Sequence, residues 1–342
     1  MSKLLVTGGA GFIGTNFVRY WFKKYPKDHI INLDKLTYAG HRENLLDLEG
    51  SSHYTFIKGD ITDRKVVDSI VKNVDVVVHF AAESHVDRSI EDPMVFAKTN
   101  VVGTSVLLDS CLRHGRKRFH HISTDEVFGE LKINDPPFSE KTAADPKSPY
   151  SASKAGSDFM VRSYYTAYGL PITITNCGNN YGPYQDPEKL IPRFITKLIN
   201  NKKVPLANKG KNIRSWLSVE DHVRAIDVVL KKGEMGETYC IGGEEKSNLE
   251  VTLSLLKIFK KDEFWIRDTG NRAVNDFRYA INDSKIKRLG WKPIHKFDYW
   301  LKQTVYWYKD NKWWWKPMLK ARRSSLIKQV VIDIKNSFIH NL

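Results

Sequence analysis

Short apolar runs alternate with longer stretches of helical periodicity over the first half of the chain. The run at 74–80 is almost continuous valine, which is typical of a strand covered on both faces of a parallel sheet. Similar runs predict further strands at 3–7, 29–33, 54–58 and 118–122. Amphipathic stretches between them predict helices, one of which ends near Lys24 and another of which covers 92–114. Strands that alternate with helices predict an α/β fold built on a doubly wound parallel sheet.

The alternation becomes irregular after about residue 173, which predicts a second, smaller domain. We predict a large α/β domain at 1–176, to which later segments at about 213–242 return. Residues 177–318 are predicted to form mainly a substrate-binding lid, and 319–342 a C-terminal tail.

The tail has the pattern of a basic amphipathic helix. Its apolar residues recur every four positions among lysines and arginines, at Leu326, Val330, Ile334 and Phe338. Such a helix can lie on an anionic membrane, or it can pack on the body of the protein or on a partner subunit. We favour packing, because membrane-surface helices have a clearer apolar face, and we expect the tail to be dispensable for catalysis.

Composition narrows the classes of function. The 342 residues carry a formal charge of +15, but the lysines are scattered and no nucleic-acid-binding motif accompanies them. We therefore attribute the charge to solubility rather than to a polyanion partner. The three cysteines (Cys111, Cys177 and Cys240) are too far apart for a disulfide framework or a zinc motif. No apolar run approaches the roughly 20 residues of a membrane span, and no signal-peptide pattern precedes the first strand, so we expect a cytoplasmic protein.

A glycine-rich turn follows the first predicted strand. Gly8, Gly11 and Gly14 allow a tight turn, close approach of a pyrophosphate to backbone N–H groups, and close packing of helix against strand. The second strand ends in Asp34, 20 residues after Gly14, where an acid binds the ribose 2′-hydroxyl of a dinucleotide. A carboxylate there repels a 2′-phosphate, so the pattern predicts a Rossmann-type domain that binds NAD rather than NADP; the alternative is an ordinary glycine-rich turn.

Three polar residues follow the fifth predicted strand, where an open parallel sheet binds its ligands. They are Thr124, Asp125 and Glu126. Two neighbouring carboxyls in a partly dry cleft need not ionise together, so one can serve as an acid and the other as a base. The alternative for this run is a helix N-cap, in which a hydroxyl caps the helix and the carboxyls favour its positive end.

Two further features carry candidate chemistry. Tyr150 and Lys154 share one face of a predicted helix, and an ammonium close to a phenol lowers its pKa towards that of a working base. A bare Tyr-x-x-x-Lys also occurs by chance as an amphipathic pair. The segment 210–216 places Arg214 beside a phosphate, unless it is a surface arginine.

Four histidines resemble a metal cluster only in composition. His79, His85, His120 and His121 lie near apolar residues and lack the spacing of metal ligands, so we predict no metal site. The run of tryptophans at 313–315 is expected to pack in a core or lid rather than to bind a cofactor.

These motifs together resemble the dTDP-glucose 4,6-dehydratases, a family of extended short-chain dehydrogenase/reductases. The similar segments are TGGAGFIG at 7–14, LDKLTYAG at 33–40, HFAAESHVDRSI at 79–90, HISTDEVFG at 121–129, YSASK at 150–154, NNYGPYQ at 179–185, EKLIP at 188–192 and TVYWYKDNKWWWKP at 304–317. The resemblance covers roughly 1–318. Within it, the Thr-Asp-Glu run is the most specific part, because epimerase and decarboxylase relatives usually lack the acidic pair.

The resemblance implies a reaction. The family oxidises C4 of the sugar with bound NAD, eliminates water across C5 and C6, and returns the hydride to C6, as in deoxysugar and rhamnose biosynthesis. Tyr150 would take the C4 hydroxyl proton with help from Lys154 and Thr124. Glu126 would remove the C5 proton, and a protonated Asp125 would donate to the leaving hydroxyl. The family also implies a homodimer that pairs helices at about 92–114 and 150–168 into a four-helix bundle.

The resemblance also implies binding residues. Besides the glycines and the catalytic pair Tyr150 and Lys154, those for NAD are Phe12, Ile13, Asp34, Lys35, Thr37, Asp60, Ile61, Ala82, Thr99 and Asn180. Those for the nucleotide sugar are Ser84, Asn179, Lys189, Leu190, Pro205, Ala207, Arg214, Asn248, Arg272 and Asn275. Asp60 has an alternative role as the cap of a helix that begins at Thr62.

The chain departs from the family pattern in one loop. Where the family usually reads DRPGHDRRY, residues 271–279 read NRAVNDFRY, with Asn275 in place of the histidine. A second departure is Ser218, where an aromatic residue is usual. The altered loop leaves open whether thymidine or uridine is preferred, so a UDP-glucose 4,6-dehydratase is one rival function. A nucleotide-sugar 4-epimerase and a non-catalytic NAD-binding protein are two others, and the intact catalytic residues argue against both.

Overall fold

The described residues of this computed structural model are 1–271 and 276–322. Their strands, in chain order, are β1 (Lys3–Thr7), β2 (His29–Asp34), β3 (Tyr54–Lys58), β4 (Val76–His79), β5 (Arg118–Thr124), β6 (Ile172–Cys177), β7 (Asn179–Tyr181), β8 (Val204–Leu206), β9 (Ile213–Ser218), β10 (Thr238–Ile241), β11 (Glu244–Ser247) and β12 (Ile266–Asp268).

The α-helices of the same residues alternate with these strands. They are α1 (Phe12–Lys24), α2 (Arg64–Val71), α3 (Val86–Glu91), α4 (Pro93–Phe96), α5 (Thr104–Arg113), α6 (Pro149–Tyr168), α7 (Leu190–Ile199), α8 (Val219–Lys232), α9 (Asn248–Phe259), α10 (Ser284–Arg288) and α11 (Phe297–Asp310). A further helical segment covers 312–322.

Within the described residues, seven strands form the main sheet in the order β10-β6-β5-β4-β1-β2-β3. Neighbouring strands are parallel throughout, and their buried faces carry the near-continuous aliphatic runs that the sequence pattern indicated. The chain builds outwards from β1 to β3 and then crosses to β4 on the other side of β1. That reversal leaves a crevice at the carboxyl ends of β1 and β4, where doubly wound sheets bind their ligands. The predicted Rossmann-type α/β fold is confirmed.

Two small sheets lie beyond β6. One has the order β11-β9-β7 and the other pairs β12 with β8. Helices α7, α9 and α11 pack on them around an aromatic core that includes Trp314 and Trp315, both almost fully buried. The packing role expected for the tryptophans holds for these two, whereas 59% of the Trp313 surface is exposed.

The predicted return segment at about 213–242 contributes to both parts of the molecule. Strand β10 extends the edge of the main sheet and α8 packs against α1, whereas β9 lies at the centre of the small three-stranded sheet. The division of the chain into an NAD-binding domain at 1–176 and a lid at 177–318 stays a prediction. Most of the tail at 319–342 falls outside the described residues.

Two helices differ from the sequence expectation. The single helix predicted at 92–114 is interrupted by a π-helical segment at Ala97–Gly103, which separates α4 from α5. The helix predicted to begin at Thr62 begins at Arg64, because the Asp63 carboxylate accepts hydrogen bonds from the N–H groups of the first turn. Hydrophobic periodicity indicates neither boundary, because it does not resolve a local change of helical pitch or the position of an N-cap residue.

Replacement of Trp315 by alanine should lower the free energy of unfolding by about 3–5 kcal/mol. The side chain is fully buried, and its indole N–H donates to the Tyr308 carbonyl at 2.8 Å, so truncation leaves both a cavity and an unpaired acceptor. Chemical denaturation measures the change. The exposed neighbour Trp313 is the control, and its alanine variant should differ from wild type by no more than about 0.5 kcal/mol. Equal losses in the two variants would contradict the packing described here.

Candidate active site

A cavity of about 310 Å³ lies at the carboxyl ends of the main-sheet strands. It is lined by every residue predicted to bind the cofactor, namely Gly8, Gly11, Phe12, Ile13, Gly14, Asp34, Lys35, Thr37, Asp60, Ile61, Ala82, Thr99 and Asn180. Thr124, Asp125, Glu126, Tyr150 and Lys154 line the same cavity. Residues spread over the first 180 positions therefore converge on one place. We call it the cofactor cavity.

The glycine turn forms a close-fitting cradle at the N-terminus of α1. Gly8 has a φ of +71°, and a Cβ there would lie 2.6 Å from the Ala81 nitrogen. A Cβ on Gly14 would lie 2.2 Å from the Gly8 carbonyl oxygen. Both distances are far below van der Waals contact, so side chains are excluded. The turn leaves the first-turn N–H groups of α1 facing the cavity side of the sheet, as an anion such as a pyrophosphate requires.

The Asp34 carboxylate is held at the end of β2. Its Oδ2 accepts from the Ala10 N–H at 3.0 Å, and its Oδ1 accepts from the Leu36 N–H at 2.8 Å. Burial raises the pKa of Asp34, and the two backbone donors oppose that effect. A carboxylate fixed in this way retains lone pairs for a sugar hydroxyl. A second carboxylate, Asp60, follows the end of β3. It forms an ion pair with Lys35 at 2.8 Å and accepts a hydrogen bond from the Thr62 N–H.

The acidic run lies where β5 ends. Thr124 closes the strand and caps a short 3₁₀ turn, Asp125–Phe128, by accepting from the Glu126 N–H at 3.3 Å. The capping role that the sequence left open is thus present alongside the placement in the cavity. The turn buries Asp125 and leaves Glu126 half-buried. Glu126 lines the cofactor cavity and also a second cavity that adjoins it.

The two carboxyls have different surroundings. Burial, and then the charge of Glu126, raises the pKa of Asp125 to about 8. Burial also raises the pKa of Glu126, but Lys189 and Arg214 oppose it there. At neutral pH, Asp125 is therefore held as a neutral acid, and the cations favour the ionised form of Glu126. These surroundings make Asp125 the candidate acid and Glu126 the candidate base.

Helix α6 presents Tyr150 on its first turn and Lys154 on its second. A capping box between Ser148 and Ser151 fixes the first turn. The Lys154 ammonium donates to the Ile122 carbonyl at 2.8 Å and lies 3.3 Å from His121 Nε2. Burial lowers the pKa of Lys154 to about 8.

The prediction that the pKa of Tyr150 is lowered is wrong for the protein without bound cofactor or substrate. Burial, followed by the charge of Glu126, raises the pKa of Tyr150 above that of a free phenol, and Thr124 opposes the change by hydrogen bonding. The Lys154 ammonium is directed at β5, so it does not offset the cost of burying a phenolate.

A second cavity, of about 1070 Å³, opens beside the first. Seven residues predicted to bind the nucleotide sugar line it, namely Asn179, Lys189, Leu190, Pro205, Ala207, Arg214 and Asn248. Ser84 lines the cofactor cavity instead, and its carbonyl accepts from the Lys189 ammonium at 3.0 Å. Arg272 and Asn275 lie outside the described residues. We call this space the substrate cavity.

Arg214 lies at the wall of the substrate cavity. Its guanidinium donates to the carbonyls of Ile213 and Asp276, both at 2.8 Å, and lies over the Tyr279 ring with 4.4 Å to the ring centroid. These contacts hold the cation close to the acidic run, where it opposes the raised pKa values of Asp125 and Glu126. A guanidinium fixed in this way suits a phosphate oxygen.

The histidines of the main sheet hydrogen-bond to neighbouring hydroxyls. His79 contacts Thr7 and Thr104 at 2.7 and 2.9 Å, and His120 contacts Thr173 at 2.8 Å. Within residues 1–271 and 276–322, no group of three or more His, Cys, Asp and Glu side chains is arranged to hold a metal ion. None of the helices in those ranges is both long and apolar enough to cross a bilayer.

Comparisons with known proteins agree with this geometry. A family model described as GDP-mannose 4,6 dehydratase matches residues 5–304. The dTDP-glucose 4,6-dehydratase 1 of Escherichia coli K12 is 48% identical, and the match covers 89% of this chain and 91% of the relative. The low-salt glycan biosynthesis protein Agl12 of Haloferax volcanii is 49% identical over 88% of this chain and 97% of the relative. The crystal structure of DesIV, a dTDP-glucose 4,6-dehydratase from Streptomyces venezuelae with NAD and TYD bound, superposes with a TM-score of 0.89 at 46% identity, covering 92% of this chain and 99% of that one.

The chain belongs to the dTDP-glucose 4,6-dehydratase family.

Sequence reasoning missed several groups at this dehydratase site. Tyr38 and Glu188 line the cofactor cavity, and Arg193 and Tyr279 line the substrate cavity. Tyr38 and Glu188 lie inside segments that resemble the family, so the segments themselves were the available signal. Arg193 follows such a segment on α7. Tyr279 ends the altered loop at 271–279 and keeps the family tyrosine, which was the available signal.

Two buried side chains support the dehydratase site from behind. The Asn100 amide, in the π-helical segment, accepts from the Glu83 N–H and donates to the Glu83 carbonyl and to the Ser153 hydroxyl. These hydrogen bonds connect the loop after β4 to α6. His222 Nδ1 lies 3.0 Å from the Asn180 amide oxygen, and burial lowers the pKa of His222 to about 3, so it stays neutral. These contacts join residues 17 to 53 positions apart and leave no periodic trace in the sequence.

Proposed function

We propose that this chain dehydrates dTDP-glucose to dTDP-4-keto-6-deoxyglucose with NAD as its cofactor. The observation that carries the proposal is the acidic pair, Asp125 and Glu126, at the junction of a cofactor cavity and a substrate cavity. Relatives that share nearly half of their residues with this chain bear the name of this reaction, and DesIV binds NAD in its crystal structure.

Each proton movement of the reaction has a group to perform it. Tyr150, in its phenolate form, accepts the proton of the sugar C4 hydroxyl, and Thr124, which lies beside it in the cavity, hydrogen-bonds to the same oxygen. NAD, when bound, would supply the hydride acceptor for C4 and, once reduced, the hydride donor for C6. The C4 ketone makes the C5 proton acidic; Glu126 removes it and, when hydride adds at C6, returns a proton to C5. Asp125 donates its proton to the C6 hydroxyl, which leaves as water.

Two features of the cofactor cavity favour NAD as the cofactor. The glycine cradle admits a pyrophosphate where side chains would collide, and Asp34 presents a carboxylate at the end of β2. A carboxylate there accepts from a ribose hydroxyl and repels a phosphate ester, which favours NAD over NADP. Because NAD ends the cycle as it began, we propose that the cofactor stays bound between turnovers.

Raising the pH through about 8 should slow water elimination. The pKa of Asp125 is raised to about 8, so the carboxyl carries its proton below that pH and loses it above, and a deprotonated Asp125 cannot protonate the leaving hydroxyl. Oxidation at C4 is followed separately, because burial lowers the pKa of Lys154 to about 8 and its ammonium contributes to that step. Rapid-mixing measurements of both steps between about pH 6 and 10 test this. An elimination rate that is flat across the range would contradict the role of Asp125.

Mass spectrometry of products made in heavy water tests the reaction itself. The purified protein is supplied with dTDP-glucose and UDP-glucose in separate tubes. Loss of one water with one deuterium gained at C5 is the expected result, and the faster tube identifies the preferred nucleotide. An isomer without mass loss would favour a 4-epimerase, and no change in either tube would favour a non-catalytic NAD-binding protein.

We further propose a homodimer that pairs the helical region at 92–114 with α6. Large apolar side chains are exposed on this surface, including Met94 (72%), Val102 (51%) and Phe159 (59%). Exposed apolar clusters of this kind mark interfaces between subunits. Light scattering should give the mass of a dimer, and Phe159→Asp should shift the protein towards the monomer. Dimers of undiminished stability in that variant would contradict the proposed surface.

We also propose a cytoplasmic role in deoxysugar synthesis, such as that of rhamnose. The three cysteines are free and buried, which suits a reducing compartment. We keep the proposed division into an NAD-binding domain at 1–176, to which segments at about 213–242 return, and a lid at 177–318. Most of the predicted NAD ligands belong to the first part and line the cofactor cavity, whereas most of the predicted sugar ligands belong to the second part and line the substrate cavity.

A further inference from the structure

The turn at 186–189 separates the cofactor cavity from the substrate cavity. Asp186 lines the cofactor cavity, while Glu188 and Lys189 line both. The turn is held by its own backbone, since Asp186 accepts from the N–H groups of Glu188 through its carboxylate and of Lys189 through its carbonyl, at 2.8 and 3.1 Å. The Lys189 side chain then crosses to the Ser84 carbonyl on the opposite wall. The position of this turn therefore affects both cavities.

The turn places two carboxylates beside sites for anions. Burial, followed by the charge of Asp186, raises the pKa of Glu188. A dinucleotide and a nucleoside diphosphate both bring phosphate charges to these cavities. Uncompensated carboxylates at the same place would repel them.

Arg322 supplies compensating charge from the far end of the chain. Its Nη2 lies 2.6 Å from Asp186 Oδ2 and 3.7 Å from Glu188 Oε2. About 29% of the Arg322 side chain is exposed, compared with 10% for Asp186, so the pair is largely shielded from solvent. Arg88 approaches Glu188 from the other side, at 3.5 Å.

The helical segment at 312–322 is anchored so that Arg322 reaches the turn. The Trp314 indole donates to the Asn44 amide oxygen at 2.6 Å. Asn44 in turn donates to the Ala10 carbonyl in the glycine cradle at 3.1 Å. Trp315 is buried in the core of the small sheets. One end of the segment thus contacts the cofactor cradle, and the other end pairs with the wall between the cavities.

We propose that Arg322 is a positioning residue that fixes the 186–189 turn and thereby slows release of the cofactor. This inference rests on the proposed NAD-dependent function. It concerns a residue beyond 304, where the family match ends, and it argues against the expectation that the whole tail at 319–342 is dispensable. Arg322 lines the outer part of the substrate cavity itself, and it acts on the cofactor cavity through Asp186 and Glu188.

The test is retention of NAD by the full-length protein. Wild type, Arg322→Ala, Arg322→Gln and Arg322→Lys are purified alike, and bound NAD is quantified after repeated buffer exchange. We expect NAD to leave the alanine and glutamine variants roughly tenfold faster than wild type, with the lysine variant between them, because lysine keeps the charge but loses the guanidinium fork. The KM for the nucleotide sugar should rise with little change in kcat at saturating NAD.

Lys312→Ala is the matched control. Lys312 is exposed on the same helical segment and lines neither cavity, so its loss removes one positive charge without affecting the turn. This variant should retain NAD as wild type does. If Arg322→Ala and Arg322→Gln also retain NAD as wild type does, the inference is wrong. If wild type itself neither retains nor binds NAD, the proposed function fails instead, and the two failures are thus distinguishable.

Discussion

Glu126→Gln should stop water elimination while leaving the oxidation at C4 intact. Glutamine keeps the size and polarity of the side chain but cannot accept the C5 proton, so the rate of elimination should fall by about 10²–10⁴-fold. In a single turnover with excess enzyme, reduced nicotinamide should form and persist, because the hydride has no C6 acceptor until water has left. Absorbance of the reduced nicotinamide and mass spectrometry of the quenched sugar follow the two steps separately.

Asp125→Asn should give a related but distinguishable result. The C5 proton is still removed by Glu126, so exchange of C5 with heavy water should continue, whereas loss of the C6 hydroxyl should slow by a similar factor because its proton donor is gone. The matched control is Glu91→Gln, an exposed carboxylate at the end of α3, which should turn over as wild type does. Wild-type rates in either Glu126→Gln or Asp125→Asn would overturn the assignment of roles.

Tyr150→Phe should block the reaction one step earlier. Without the phenol oxygen, no base takes the C4 hydroxyl proton, so hydride transfer should slow by about 10²–10⁴-fold and no reduced nicotinamide should appear. Tyr150 is 8% exposed at the start of α6, so the loss of one oxygen should leave the fold intact. Rapid-mixing absorbance measures the step, and circular dichroism checks the fold.

Tyr168→Phe, at the exposed end of the same helix, is the control for this variant and should oxidise the sugar normally. Lys154→Met adds a second test. Its ammonium bonds to the Ile122 carbonyl and contacts His121 at the back of the cavity, so its removal should slow the same oxidation step. Accumulation of reduced nicotinamide in Tyr150→Phe at the wild-type rate would show that another group is the base.

These variants together divide the catalytic cycle. Replacements at residue 150 should stop it before the cofactor is reduced, and those at residues 125 and 126 should stop it afterwards. That division follows from the geometry, because the phenol and the acidic run line the same cavity but have different electrostatic surroundings. A set of variants that all stop at the same point would contradict it.

Sequence alone determined the features that depend on neighbours along the chain. The main-sheet strands follow from uninterrupted apolar runs, since a strand covered on both faces must be apolar on both. The glycine turn with Asp34 and the adjacent Asp125 and Glu126 were also found in this way, because their chemistry depends on spacing within one segment and on the end of the strand before it. Resemblance to a family then supplied the roles of residues that no local pattern explains, such as Asn248.

Tertiary structure decided what depends on burial and on distant contacts. It made Asp125 the stronger candidate for the acid, because the short turn buries that carboxyl and leaves Glu126 facing cations. It also reversed the expected shift of the Tyr150 pKa, since burial outweighs a lysine directed elsewhere. The contact between Arg322 and Asp186 joins residues 136 positions apart. Hydrophobic periodicity records which face of an element is covered, but it does not record which distant residue covers it, and the electrostatics of a site depend on that partner.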